Sequence, residues 1–313
     1  MAVNAEQIAA FIAAQCAEWP LAGRNFDALG GVEVRTVELP GWTLKVQFNP
    51  ARIVSSGAKV DARSLAERPC FLCDKNRPAE QRGIEWGDGR YTILVNPFPI
   101  FPRHLTIPAT DHTPQRILGR VADMLQLASE LEGYTVFYNG PRCGASAPDH
   151  MHFQAGNSDF LTIAPALDGA ELQPVAVDPE GGVLAVCTDL ALNVFVINAS
   201  TPEAGARLFG RLYEAMPVPE GEEEPMLNLL AYATPDGGTR LVVVPRKRHR
   251  PSFYGTEGDD CMLISPASVD MGGAFITPRR EDFDRVDAAV LDRIFGELCL
   301  SDEEITTIAE NVR

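Results

Sequence analysis

The sequence predicts an α+β protein built twice over, each half an antiparallel sheet with a covering helix. Trp42–Phe48 alternates apolar and polar residues at the period of a half-buried strand. Ile8, Phe11, Ile12 and Trp19 recur at helical spacing. Both halves then place a strand, a helix and a strand pair in similar order, although no residue-level repeat is clear enough to count. The 313 residues are 45% hydrophobic, enough for a full core, and the halves divide as 1–160 and 161–313.

In chain order, Asn4 caps the first helix and Pro20 ends it. Val32, Val34 and Leu39 mark a strand beside Trp42–Phe48. Tyr91–Val95 and residues 105–107 read as buried strands. Pro114 opens a long helix whose inner face carries Ile117, Leu118, Val121 and Leu125. Strands follow at 133–138 and 150–155, joined by a loop rich in Gly, Pro and Ser. The second half reads as strands at 183–186, 194–197, 227–232 and 241–244, with helices at 204–216 and 281–298. Pro235, Asp236, Gly237 and Gly238 form a hairpin turn. The acidic run Glu220–Glu224 reads as a solvated loop.

Composition narrows the function. A net charge of −16 opposes binding to a nucleic-acid backbone, which relies on a basic face. Eighteen apolar residues never run together, and Met1 to Pro20 has no basic leader region, so neither a membrane span nor a signal peptide is expected and the cytoplasm is the default. Seven cysteines fit a reducing compartment. Cys16, Cys187, Cys261 and Cys299 read as core positions.

Four stretches carry chemistry. In His150-Met151-His152-Phe153-Gln154 the polar residues alternate, so a strand turns both imidazoles and the amide to one face and packs Met151 and Phe153 inside. A neutral imidazole attacks phosphorus, and an amide beside it steadies the phosphoryl oxygens. Alone, the pentapeptide reads equally as two surface histidines. Cys70-Phe71-Leu72-Cys73 is a metal knuckle or a redox pair, with two further ligands needed for a tetrahedron. The proline- and aromatic-rich turn from Asn96 to His104 walls a base pocket with Phe98 and offers Asn96 to a ribose, or is simply a connector. The cluster Arg246-Lys247-Arg248-His249-Arg250 clamps phosphates or is a solvated surface.

Together these residues resemble the branch of the histidine-triad superfamily that holds galactose-1-phosphate uridylyltransferase, the diadenosine tetraphosphate phosphorylases and the GDP-hexose phosphorylases. His150, His152 and Gln154 match its His-x-His-x-Gln. The resemblance implies a duplicated histidine-triad-like fold, with His152 as covalent nucleophile, Gln154 as phosphoryl anchor and His150 beside them. It also implies a structural zinc ion held by Cys70, Cys73, His112 and His150. The segment from Asn96 through His104, Leu105, Ile107 and Pro108 to Pro114-Gln115 is similar to the family's strand-turn-strand with a ribose-binding asparagine. Ser265 to Phe283 is similar to a C-terminal stretch of the GDP-hexose phosphorylases. The family sets a phosphate-binding serine three positions before the first triad histidine; Ser146 stands four before it. That leaves Ser146 or the backbone amides of Gly144 and Ala145 to meet the phosphate, with Asn139 and Arg142 in the same loop.

The implied reaction is ping-pong transfer from a nucleotide sugar or dinucleoside polyphosphate to inorganic phosphate or a sugar phosphate. A homodimer is compatible with this reading, and nucleic acid and membrane are excluded as partners. The alternatives are a nucleotide-binding protein without turnover and a zinc-stabilised interaction module.

Overall fold

A computed structural model describes residues 3–52, 62–258 and 260–312. Its strands are β1 Glu33–Leu39, β2 Trp42–Phe48, β3 Gly83–Trp86, β4 Tyr91–Val95, β5 His104–Pro108, β6 Tyr134–Asn139, β7 His152–Asn157, β8 Gln173–Asp178, β9 Gly182–Cys187, β10 Val194–Ala199, β11 Leu227–Ala233, β12 Thr239–Pro245 and β13 Ala274–Thr277. Ten of them form one sheet in the order β3-β4-β5-β7-β6-β11-β12-β10-β9-β8. Counted from its own edge, each half runs first, second, third, fifth, fourth, so the α+β fold is a duplication at the level of strand order. The expectation of a separate sheet per half needs correction. β6 and β11 pair antiparallel through Asn139↔Asn228 and fuse the halves. Both strands are buried nearly throughout, so neither presents a polar edge that would stop pairing.

The fused sheet has two faces and two cores. Against one face pack the helices Ala5–Glu18, Val121–Glu130, Pro202–Ala215 and Asp302–Val312, closing over Ile93, Leu105, Phe153, Leu229 and Val243. The opposite face of the second half is covered by the small sheet β1-β2-β13 and the helix Ala288–Leu298, where Trp42 stacks on Phe295. In the first half that opposite face lies beside a cleft.

Several boundaries differ from the sequence reading. Asn4 and Gln7 form a capping box on the first helix, but Pro20 also opens a second helix, Pro20–Asp27, with its ring at the first helical position. The helix expected from Pro114 starts only at Val121, and Leu118 is exposed. Gln115 is drawn inward to bond backbone groups of other strands, which removes that turn from the helix. The helix expected over 281–298 breaks at Val286, and Asp287 caps the second piece by accepting from the Val290 amide. Strand β7 starts at His152, so His150 precedes it. Cys187 and Cys299 are buried, whereas Cys16 and Cys261 are only half-buried. Glu224 is not a solvated loop residue: it is buried and accepts from Tyr138 Oη at 2.6 Å and from the Ile117 amide at 3.0 Å. Among the described residues no helix is long and apolar enough to cross a membrane.

Candidate active site

The alternation of β7 sorts its side chains between the two faces. Phe153 and Ala155 join the helix-side core, as does Met151 just before the strand, while His152 and Gln154 line the cleft. The cleft holds about 460 Å³, within the usual range for a small-molecule site. Asn96, Phe98, Thr106 and Phe137 bound it on the first half, with the loop Gly144–Ser146 above and His249, Arg250, Ser265 and Asp270 across from them on the second.

His152 is almost wholly buried, and its Nδ1 lies 2.8 Å from the His150 carbonyl. A carbonyl only accepts, so Nδ1 carries the proton and Nε2 keeps its lone pair. Burial pushes the imidazole down to about 4, the hydrogen bond to His150 opposing this only in part, so the ring is neutral at pH 7. Its backbone is clamped by Gln115, whose Oε1 accepts from the His152 amide at 2.7 Å. Gln115 Nε2 donates to the carbonyls of His152 and Asn139 at 3.0 Å each. A wholly buried carboxamide thus stitches the mouth of β6 and β7 where the strand ladder ends.

Gln154 is oriented by a chain of donors. The Ile100 amide donates to His104 Nδ1 at 3.1 Å, which places the His104 proton on Nε2. Nε2 then donates to Gln154 Oε1 at 3.1 Å, and Asn96 Nδ2 donates to the same oxygen at 3.4 Å. With Oε1 so engaged, Gln154 has its NH2 left for a ligand. Burial, helped by the charge on Arg52, lowers His104 to about 3, so it acts as a fixed neutral donor. Asn96 also donates to Thr106 Oγ1 at 2.9 Å and accepts from the Phe98 amide at 2.9 Å, which shapes the aromatic turn.

The remaining sequence candidates divide. Gly144 and Ser146 line the cleft; Gly144 has φ +99° and a Cβ there would fall 2.5 Å from Ala267 Cβ, so the loop needs glycine at this point. Asn139 lines the cleft too, but its Oδ1 already accepts from the Ser268 amide and from Asn228 Nδ2. Arg142 lies outside the cleft, exposed and paired with Glu222 at 3.0 Å. The expected convergence of His150 on the pocket also needs correction: the His150 ring turns away, and it is the backbone carbonyl that touches His152.

That ring belongs to a four-residue group. Cys70, Cys73, His112 and His150 bring their donor atoms within 4.8 Å of one another. His150 Nε2 lies 2.8 Å from the Ala109 carbonyl, which puts the proton there and leaves Nδ1 as a lone pair, 3.3 Å from Cys70 Sγ and 3.5 Å from Cys73 Sγ. His112 Nδ1 lies 3.2 Å from Cys73 Sγ. These separations match the edges of a tetrahedron about one ion with S and N ligands, and the carbonyl-anchored imidazole is the usual supporting bond. The group could hold a metal ion.

The sequence assigns His104 and Gln115 no individual role, although both fall in the segment from Asn96 to Gln115, and it does not single out Asn228 or Asp270. Asp270 is buried on the cleft wall and accepts from the Ala267 and Ile276 amides at 2.8 and 3.1 Å; burial pushes its carboxyl up to about 6. Asn228 donates to Asn139, Cys143 and Ser268 and accepts from Arg246 Nη1 at 2.6 Å, tying together loops from both halves. A polar residue inside an otherwise apolar strand was the one available signal for Asn228; the others gain meaning only from distant partners.

Comparison with known proteins finds two family models on separate stretches of the chain. Residues 11–157 match a family model described as a domain of unknown function, and residues 222–313 match one described as the GDPGP1-like C-terminal domain. Diadenosine 5',5'''-P1,P4-tetraphosphate phosphorylase 2 of Saccharomyces cerevisiae is 30% identical over 123 residues, covering 35% of this chain and 37% of that relative. The match therefore spans well under half of the relative's length. The crystal structure of yeast Ap4A phosphorylase Apa2 superposes with a TM-score of 0.56 at 18% identity, covering 90% of this chain and 94% of that one. The same yeast enzyme in complex with Ap4A gives 0.58 at 17% identity, covering 90% and 97%. At these identities the structural likeness is one of fold.

Proposed function

We propose that the chain belongs to the histidine-triad branch that holds galactose-1-phosphate uridylyltransferase, the diadenosine tetraphosphate phosphorylases and the GDP-hexose phosphorylases, and that it is a phosphorylase working through a nucleotidyl-His152 intermediate. The observation that carries this reading is the His152 ring: buried, neutral, proton fixed on Nδ1, and lining a cleft of about 460 Å³ next to a Gln154 amide.

In the first half-reaction Nε2 attacks the α-phosphorus of a nucleoside diphosphate sugar or dinucleoside polyphosphate. The bond from that phosphorus to its bridging oxygen breaks, and a sugar phosphate or nucleotide leaves with the electron pair. The adduct is an imidazolium, and the His150 carbonyl against Nδ1–H stabilises its charge without any proton moving. Gln154 NH2 donates to an oxygen on the α-phosphorus, and the amides of Gly144 and Ala145 with Ser146 face its other side. Asn96 serves the ribose and Phe98 the base. In the second half-reaction phosphate attacks the same phosphorus, the P–N bond breaks, and its electron pair returns to Nε2.

Zinc suits Cys70, Cys73, His112 and His150 because two thiolates and two imidazoles complete its tetrahedron and leave no open position for chemistry. When bound it would fix the His150 backbone, and hence the carbonyl that holds the His152 tautomer. Asp270 favours guanine as the base: a carboxylate accepts from its N1–H and amino group, whereas adenine presents a lone pair at N1.

Incubation with guanine- and adenine-containing nucleotide sugars and dinucleoside polyphosphates, with and without phosphate, tests this directly. A nucleoside diphosphate is expected only with phosphate, and faster from guanine donors. Tight nucleotide binding without product in any arm would instead identify a binding protein without turnover.

A further inference from the structure

The basic cluster after β12 does not act as one surface. Lys247 and Arg248 are exposed and pair with Glu304 and Glu297. Arg246 is buried, and its Nη2 donates to the carbonyls of Arg248 and His249 at 3.2 and 3.0 Å while Nη1 donates to Asn228. It therefore sets the backbone that turns His249 and Arg250 into the cleft. Arg250 donates from Nε to Ser265 Oγ at 2.9 Å and lies 4.1 Å over the Tyr254 ring. Among the described residues no carboxylate pairs with Arg250, although the chain carries a net charge of −16.

The sheet fixes the end from which the segment carrying this cation leaves β12 relative to the nucleophile's strand. Gln154, Phe137, Leu230 and Val242 form one row across β7, β6, β11 and β12. Three strand spacings span about 14 Å. The antiparallel order brings the start of β7 and the exit of β12 to the same end of the sheet. His152 at the start of β7 and the segment that carries Arg250 beyond β12 thus leave the sheet at the same end, from strands about 14 Å apart, and both side chains line one cleft. In-line displacement at phosphorus places the leaving group opposite the attacking nitrogen, and the acceptor of the second step enters along the same line. Both occupants of that position are phosphates.

Resting on the nucleotidyl-transfer reading above, we infer that Arg250, with His249 beside it, forms an oxyanion subsite used twice, first by the departing phosphate of the donor and then by incoming inorganic phosphate. Burial and the charges of Arg250, Arg246 and Arg142 press His249 down to about 4, marking an electropositive focus in an acidic protein. Arg250 holds a phosphate by charge-assisted bonds from its Nη groups, with Ser265 and Tyr254 fixing the side chain beforehand.

The test pairs Arg250→Met with Arg250→Lys and reads two quantities: inorganic phosphate binding to the resting protein by calorimetry, and steady-state KM for phosphate and for the donor. Arg250→Met is expected to raise the phosphate Kd and KM by at least about tenfold, more than it raises the donor KM, and Arg250→Lys to recover part of the loss. A phosphate Kd within twofold of the parent, or donor and phosphate KM rising in parallel, overturns the subsite. Because the binding arm needs no turnover, lost phosphate binding in Arg250→Met beside a parent protein that turns over no donor would sustain the subsite and reject the nucleotidyl-transfer reading alone.

Discussion

The two halves share a strand order and differ in what their corresponding strands carry. β7, the fourth strand counted from the edge of the first half, sets His152 and Gln154 on its open face and Phe153 and Ala155 on its covered one. β12, its counterpart, has Leu241 and Val243 on one side and Val242 and Val244 on the other, all buried. The difference follows from what lies over each face. In the second half the sheet β1-β2-β13 and the helix Ala288–Leu298 exclude water, and an unpaired imidazole there would lose its hydration without a partner. In the first half the same level of the sheet is left as a cleft, so polar groups remain useful. Duplication supplies two equivalent platforms; the cover decides which one keeps polar side chains facing a cleft, and the second half contributes loops instead of strand residues.

Replacing Gln154 by Val makes β7 resemble β12. The account expects kcat to fall by about 10²–10³, the usual loss for one preorganised donor to a developing oxyanion, with the melting temperature nearly unchanged. A fall in kcat below about threefold would remove Gln154 from the phosphoryl site. A smaller effect is expected at the group Cys70, Cys73, His112 and His150, which among the described residues has no counterpart in the second half. Elemental analysis of the parent should find one zinc per chain, and Cys73→Ser should lose it, lower the melting temperature by several degrees and reduce kcat less than Gln154→Val does. A parent free of metal, with full activity, would contradict the zinc assignment.

The smallest effect concerns acid. His104, His152 and His249 are pushed down to about 3, 4 and 4 in the folded chain, so below an unfolded value of about 6.5 the unfolded state takes up protons that the folded state refuses. Their stabilisation is complete above about 6.5 and is lost as pH falls toward 4. Asp270, raised to about 6, acts with the opposite sign over a narrower interval. The net expectation is a urea midpoint that drops steadily between pH 6.5 and 4, less steeply in His249→Gln. An unchanged midpoint over that interval would show that these rings are hydrated.

Much of this comparison was legible in the sequence, and the gaps have physical causes. Period-two alternation located β2 and β7, β4 was legible as a buried strand, and the similar order of elements in both halves anticipated the duplication. The strand seam between β6 and β11 was not legible, because continuous apolar runs say that a strand is buried without naming its neighbour. The helix expected from Pro114 failed for a related reason: Gln115 trades a helical position for bonds to His152 and Asn139, and sequence spacing does not register a partner 37 residues away. The group Cys70, Cys73, His112 and His150 was named only through a family resemblance, since the knuckle alone supplied two ligands. Within the basic run, charge gave no sign that Arg246 is buried, that Lys247 and Arg248 face solvent and that Arg250 faces the cleft.

The central claim is that the His152 nitrogen left without a proton becomes bonded to phosphorus. Intact-protein and peptide mass spectrometry after incubation with a donor and no phosphate reads this directly. The account predicts a mass increase of one nucleoside monophosphate, mapped to His152, discharged on adding phosphate and missing in His152→Gln. An adduct that persists in His152→Gln, or phosphorolysis by a protein that never carries the label, would contradict it.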